Sequence, residues 1–240
     1  MDTVVRDPRG GHNRKKVNEN FFKTWSPKMA YVLGLLLADG AFEDVRKSSR
    51  TCYIQLTSTD RSLIEQVRDS LASDHTIASE KAETNWIRGR AVNSSENFRL
   101  RIGNKVMYQD LVTLGIAPKK AKRIHIPSMP EQHFKFFVRG YFDGDGCVNI
   151  YKPKNRRNHR LSVIFTSCSD SFLRGISEKL SKILNINAAA IHFQYFAFRL
   201  QYRGQVAIKI LSLIYDQLNE SPYLERKYQK YQNYLSLASN

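Results

Sequence analysis

Two stretches of this 240-residue chain, Tyr31-Val-Leu-Gly-Leu-Leu-Leu-Ala-Asp-Gly40 and Phe137-Val-Arg-Gly-Tyr-Phe-Asp-Gly-Asp-Gly146, are built alike. Each is an apolar run of helical length that stops on Asp-Gly, with a glycine five residues before the Asp. A helix that stops on Asp-Gly leaves a carboxylate beside backbone carbonyls that have no intrahelical partners. Small residues also recur four apart on one face, Gly34 with Ala38 and Gly140 with Gly144. That spacing lets two helix backbones approach closely. Packed on each other through Gly34 and Gly140, the two helices would bring Asp39 and Asp145 to one place.

Hard divalent cations take the oxygens such a place offers, carboxylates and carbonyls. Asp39 and Asp145, with the backbone at Ala38 and Gly144, are therefore the candidate metal ligands. Two carboxylates meeting at a pseudo-twofold axis suit two-metal phosphodiester cleavage, in which a water is activated and the leaving oxygen stabilised.

These segments resemble the paired motifs of single-chain LAGLIDADG homing endonucleases. Gly34 and Gly140 fall on the motif's first Gly, and Asp39-Gly40 and Asp145-Gly146 on its terminal Asp-Gly. The second copy is the closer match; in the first, Leu37 stands where Asp143 keeps the motif's earlier Asp. The resemblance runs from about Phe21 to about Leu218. It implies an α+β fold of two pseudo-symmetric αββαββα halves whose antiparallel sheets form a DNA-binding saddle. It also implies Mg²⁺ as cofactor, two or more ions, with Mn²⁺ or Ca²⁺ able to substitute in binding. In the family a basic residue near the end of each half's last strand supports the reacting phosphate. Here that position falls near Gly103 and Arg203, with Lys105 close by, so Lys105 and Arg203 join Asp39 and Asp145 as candidate catalytic residues. Family members commonly place Gln or Lys after the second strand, where this chain has Ser58-Thr59 and Ser167-Cys168.

The composition favours a polyanionic partner. Lys and Arg exceed Asp and Glu to give a net charge of +16, and the excess is spread through folded segments rather than gathered in a tail. The apolar run Met29–Ala38 is too short to cross a bilayer, and the first residues lack a secretory apolar core. A soluble, intracellular monomer is expected. Three cysteines without a C-x-x-C pair argue against a disulfide framework or a zinc site. The absence of a Gly-rich phosphate loop argues against nucleotide hydrolysis.

After each motif the same order of elements recurs. Cys52, Ile54 and Leu56 alternate with Tyr53, Gln55 and Thr57, as Leu161, Val163 and Phe165 alternate with Arg160, Ser162 and Thr166, the pattern of strands with one wet face. Helices follow, with Asp60 and Ser169 as N-caps and Leu63, Ile64, Val67 and Leu71, or Phe172, Leu173, Ile176 and Leu180, at helical spacing. Phe98–Ile102 then corresponds to Phe198–Tyr202, each followed by an amphipathic stretch. The expected organisation is a basic flexible segment at 1–20, a first half at 21–118, a linker at 119–129, a second half at 130–220 and a C-terminal helix at 221–240. Ser26-Pro27 and Pro130-Glu131 supply helix starts.

The wet strand faces carry Arg99, Arg101, Arg160, Arg199 and Arg203 with Tyr53, Gln55, Thr57, Ser162, Thr166 and Gln201, and no acidic residue falls in this set. Arg and Gln suit purine edges in the major groove, which admits a β-ribbon. Two basic loops would extend the ribbons, one with Arg46, Lys47 and Arg50 and the other with Lys152, Lys154, Arg156 and Arg157; Arg88 and Arg90 complete the candidate DNA contacts. The resemblance thus implies metal-dependent cleavage of both strands of a long, asymmetric duplex, leaving 3′ overhangs and serving the mobility of an intron. Two other outcomes share the fold: an intron-RNA-binding maturase, and a silent DNA-binding regulator. Both motif aspartates are present, which favours cleavage. No Cys or Ser at position 1 and no His before Asn240 argue against an intein.

Overall fold

A computed structural model describes residues 15–44, 52–82, 84–87, 90–93, 95–116, 124–154 and 158–239. The first half runs α1 (Pro27–Asp39), β1 (Gly40–Asp44), β2 (Cys52–Ser58), α2 (Arg61–Ser70), β3 (Ile77–Glu80), β4 (Thr84–Ile87), β5 (Arg90–Asn93), β6 (Asn97–Gly103) and α3 (Lys105–Thr113). The second runs α4 (Phe134–Asp145), β7 (Gly146–Tyr151), β8 (Arg160–Ser167), α5 (Asp170–Leu184), β9 (Ile191–Gln194), β10 (Ala197–Arg203) and α6 (Gln205–Ile214). A final helix, α7 (Glu225–Ser239), follows. Two antiparallel sheets have matching strand orders, β1-β2-β6-β3 and β7-β8-β10-β9. The internal repeat is therefore real, and the fold is α+β as expected. The hairpin β4–β5, inserted between β3 and β6, has no counterpart in the second half and was not foreseen.

A side-chain cap explains where α1 starts, and glycines mark where both motif helices stop. Ser26 accepts from Met29 N at 3.1 Å with Pro27 in the first turn, so α1 begins there. At the other end both helices run straight into strands, because Gly40 and Gly146 adopt extended backbone immediately after Asp39 and Asp145. The N-caps of the later helices differ from each other. Ser169 accepts from Phe172 N at 3.3 Å, but the Asp60 carboxylate makes no capping bond and instead accepts from Arg226 of α7 at 2.9 Å.

Helices α1 and α4 make the most extensive inter-element contact in the molecule, and glycine is the reason. A Cβ on Gly34 would lie 2.8 Å from Tyr141 N and closer still to the Phe137 carbonyl. One on Gly140 would lie 2.9 Å from Leu35 N and closer to the Tyr31 carbonyl. Around this crossing Met29, Tyr31, Leu33, Leu35, Phe137 and Tyr141 are buried, so the core is continuous across the two halves.

The end of α4 is held by a polar cluster inside that core. Lys227 of α7, only 5 % exposed, donates to the carbonyls of Phe142 (2.6 Å), Asp143 (2.8 Å), Gly144 (3.3 Å) and Gly146 (2.6 Å). Three of these belong to the last turn of α4, where carbonyls run out of intrahelical partners, although Phe142 O also accepts from Gly146 N. Asp143, 2 % exposed, accepts from Tyr31 (2.8 Å), Tyr215 (3.3 Å) and Leu224 N (2.8 Å). Burial pushes the Asp143 carboxyl up to about 6, against the pull of Lys227 and these bonds. Burial likewise lowers the Lys227 ammonium to about 8, with Asp143 opposing. Arg139, fully buried, donates to Ile214 O (2.5 Å), Ser221 Oγ (2.7 Å) and Asp216 O. It thereby fastens α4 to the connection between α6 and α7.

Two substitutions test this arrangement. Gly140→Leu forces apart two backbones in contact and is expected to cost on the order of 1–3 kcal/mol or more, read as a lowered denaturation midpoint. Lys227→Met leaves buried carbonyls without a donor and is expected to cost on the order of 3 kcal/mol. In that variant, α4 amides near Asp145 should also exchange faster with deuterium.

Candidate nucleic-acid interface and acidic centre

The helix crossing delivers the two aspartates to one place. Asp39 and Asp145 are exposed at the feet of α1 and α4. A Cβ on Gly144 would lie 2.9 Å from Asp39 Oδ2 and 3.3 Å from its Cγ, and closer still to the Ala38 Cβ. The Asp39 carboxylate thus rests against the backbone of the residue that precedes Asp145. Tyr141 feels both: burial first, then Asp145, with Asp39 acting in the same sense, push its phenol well above the usual range. Its hydroxyl donates to Thr166 O at 2.7 Å, tying α4 to the adjoining strand.

These oxygens suit a hard cation. Two carboxylates and the carbonyls at Ala38 and Gly144 would form the donor set, and the Gly144 carbonyl also receives the longest of the four Lys227 bonds. Among the described residues no group of three or more His, Cys, Asp or Glu side chains is placed to hold a metal. Carbonyls or further oxygens from a bound partner would therefore have to complete any coordination shell.

Strand register decides which basic side chains stand beside the centre. Gly40 pairs with Leu56, and Leu56 with Leu100. Gly146 pairs with Phe165, and Phe165 with Leu200. One step toward the helices, the opposing pairs are Thr57 with Arg99 and Thr166 with Arg199. These two pairs occupy equivalent places at the motif ends. Arg203 pairs with Ser162, which faces Asn149, about 10 Å along the strands from Gly146 at ~3.3 Å per residue. Gly103 stands as far away in the first half, and Lys105 lies beyond it, exposed in the first turn of α3. The structure does not bring Lys105 or Arg203 to the aspartates, because antiparallel pairing carries the ends of β6 and β10 away from them. Arg99 and Arg199 hold the nearer positions.

The wet faces are as expected on β2, where Tyr53, Gln55 and Thr57 alternate with buried neighbours. Arg101, Arg160 and Arg203 are exposed, as are Lys152 and Lys154, while Thr166, Arg199 and Gln201 are partly so. Ser162 is an exception. It is completely buried, a short side chain on a central strand between Asn149 and Arg203, and its hydroxyl has no partner. A second correction concerns charge. Carboxylates from β1 and β3 do reach the arginines of β6: Arg101 pairs with Glu43 at 2.7 Å and Arg99 with Glu80 at 2.7 Å. Arg101 also lies over the Tyr53 ring, 3.7 Å from its centroid. Arg90 lies in β5. Arg46, Lys47, Arg50, Arg88, Arg156 and Arg157 lie outside the described residues, as do the first fourteen residues, 117–118 at the end of the expected first half and 119–123 of the expected linker.

Sequence reasoning missed Lys227 and Arg139. Lys227 reads as a polar position of an amphipathic helix, with nothing to mark it as buried. Arg139 did carry a signal, a lone charge inside the apolar run Phe136–Phe142, since a charge in a buried helix needs partners.

Comparisons with known proteins agree with this architecture. The chain is similar to the homing endonuclease I-WcaI bound to its DNA recognition sequence, with 14 % identity, 95 % of each chain covered and a TM-score of 0.59. It is also similar to mesophilic variants of the homing endonuclease I-DmoI, with 16 % identity, 86 % of this chain and 96 % of that one covered, and a TM-score of 0.54. By sequence it resembles the reverse gyrase of Methanocaldococcus jannaschii, 28 % identical over 156 residues. That match takes in 65 % of this chain but only 8 % of the length of that protein. The profile of the LAGLIDADG-like domain matches residues 26–112 and 135–190, a span that contains Gly34 and Gly140, both motif aspartates, the first sheet and strands β7 and β8 of the second. With more than half of its length so matched, the chain belongs to the LAGLIDADG-like domain family.

Proposed function

We propose that the protein is a site-specific DNA endonuclease that acts as a monomer on a long, asymmetric duplex and cuts both strands with divalent metal. One observation carries the reading: the helix crossing sets the Asp39 carboxylate against Gly144, beside Asp145, where α1 and α4 lead into the two sheets. Both aspartates are exposed there, so a phosphodiester backbone laid across the sheets would meet them.

Asp39 and Asp145, with the Ala38 and Gly144 carbonyls, would hold Mg²⁺; Mn²⁺ or Ca²⁺ would support binding in its place. When bound there, the ion supplies Lewis acidity toward the scissile phosphate and a lowered pKa for an attacking water. The chain's own residues set the geometry. Lys227 and the Gly34–Gly140 contact fix the helix ends, and the guanidiniums of Arg99 and Arg199 stand one strand away from Thr57 and Thr166, where they would neutralise phosphate charge. Farther along the strands Gln55, Arg101, Arg160, Gln201 and Arg203 would read or hold the flanking half-sites. The two halves present different side chains at matching places, so the half-sites would differ in sequence.

Asp39→Asn and Asp145→Asn are each expected to reduce cleavage by more than about 100-fold while a gel-shift assay still finds the duplex bound. Near-parental cutting by either variant would refute the assignment. Register further predicts that Arg199→Ala slows cleavage of bound DNA more than Arg203→Ala does, the latter changing mainly affinity. Single-turnover rates on saturated DNA separate the two effects.

A further inference from the structure

The second sheet ends in a turn that the fold itself does not require. Strands β9 and β10 are joined by two residues, since Gln194 pairs with Ala197, and those two are Tyr195 and Phe196, at φ +53° and +63°. A two-residue hairpin loop with both φ values positive is the place for Asn-Gly; a bulky side chain there is strained. Tyr195 is 77 % exposed and Phe196 92 %. Neither ring contributes to the core, so strain and apolar exposure are both retained at one tip.

Its surroundings identify what would cover it. The strand pairing puts the tip at the motif end of the sheet, since Phe198 pairs with Ser167 and Gly146 with Phe165. The Tyr195 ring lies 5.4 Å from the Arg199 guanidinium, which also donates to Gln194 at 3.2 Å. Beside it the wet face sinks into a hollow of about 360 Å³ lined by Ile164, His192, Phe193, Gln194, Arg199 and Gln201. The rim offers aromatic faces, amide groups and a cation, and no carboxylate. That chemistry matches stacked bases joined by phosphates, whereas an apolar protein surface would leave Arg199 and the glutamines desolvated.

We propose that the Tyr195–Phe196 tip is a wedge that stacks on bases of bound duplex DNA at a step near the motif aspartates and partly unstacks it. Arg199 anchors the adjoining phosphate. The proposal rests on the DNA-binding reading above and specifies how the second half engages its half-site. The first half has the β4–β5 insertion at the equivalent turn, so the wedge would act on one side of the target.

The test replaces the tip with its unstrained equivalent, Tyr195→Asn with Phe196→Gly, in the full chain. A duplex is first selected from a random-sequence library by the parent protein in Ca²⁺, and 2-aminopurine is then placed at successive positions through it. The parent should raise 2-aminopurine fluorescence at one or two adjacent positions of a single half-site. The double variant should lose that rise and bind at least about fivefold more weakly, with a melting temperature equal to or above the parent's. Equal affinity with an unchanged fluorescence profile would overturn the wedge. So would a parent that sediments as a dimer and a variant that sediments as a monomer, because the tip would then be a protein contact. A parent that retains no duplex at all would instead overturn the DNA-binding reading beneath it.

Discussion

The close approach of α1 and α4 governs the rest of the molecule. At Gly34 and Gly140 each backbone occupies the space that a side chain on the other would need. Dense packing of this kind allows few alternative separations or angles. Because β1 and β7 begin at the residues after Asp39 and Asp145, each sheet inherits its position from the helix before it. One contact therefore sets the aspartates beside each other and sets both sheets relative to them. A change at the crossing propagates to the aspartates and to both sheets at once.

The two halves share topology but differ in what supports them. In α4 the residue two before the terminal Asp is Asp143, buried among Tyr31, Tyr215 and Leu224; its counterpart in α1 is the buried Leu37. A carboxylate at this depth is tolerated because each oxygen has a donor and Lys227 stands nearby. The cluster in turn anchors α7 under the end of α4. The second motif thus carries a polar support built from the C-terminal helix, and the first relies on apolar packing. The asymmetry between the halves therefore lies in chemistry placed behind the aspartates as well as on the sheets.

The first sheet holds its own counter-charges. Glu43 and Glu80 pair with Arg101 and Arg99, exposed pairs of a kind that contribute little to stability. Their greater effect is on geometry, since a guanidinium stacked on Tyr53 and tied to Glu43 is held in one orientation before any partner arrives. Pre-orientation lowers the entropy cost of binding. On the DNA-binding reading proposed above, it would also make that face more selective than a bare cationic sheet, because a phosphate would compete with a carboxylate already in place.

Much of this was legible in the sequence. Hydrophobic period and caps announced the motif helices, their repetition announced the pseudo-symmetry, and alternation marked the wet face of β2. Those signals are local, and local sterics and burial decide them. Lys105 and Arg203 were placed by analogy of position, but only strand register shows that Arg99 and Arg199 stand nearer the aspartates. Ser162 had the right parity for a wet face and is nevertheless buried, because its exposure depends on longer side chains on β7 and β10. Lys227 looked like a solvent-facing lysine until the C-terminal helix docked under α4. The sequence by itself determined the two motif helices, the paired strands and helices of the repeat, and that two aspartates would meet, since Gly34 and Gly140 permit one close crossing; it did not announce the β4–β5 hairpin. Tertiary structure alone decided which cations accompany them, because that depends on contacts between residues as far apart as Gly144 and Lys227.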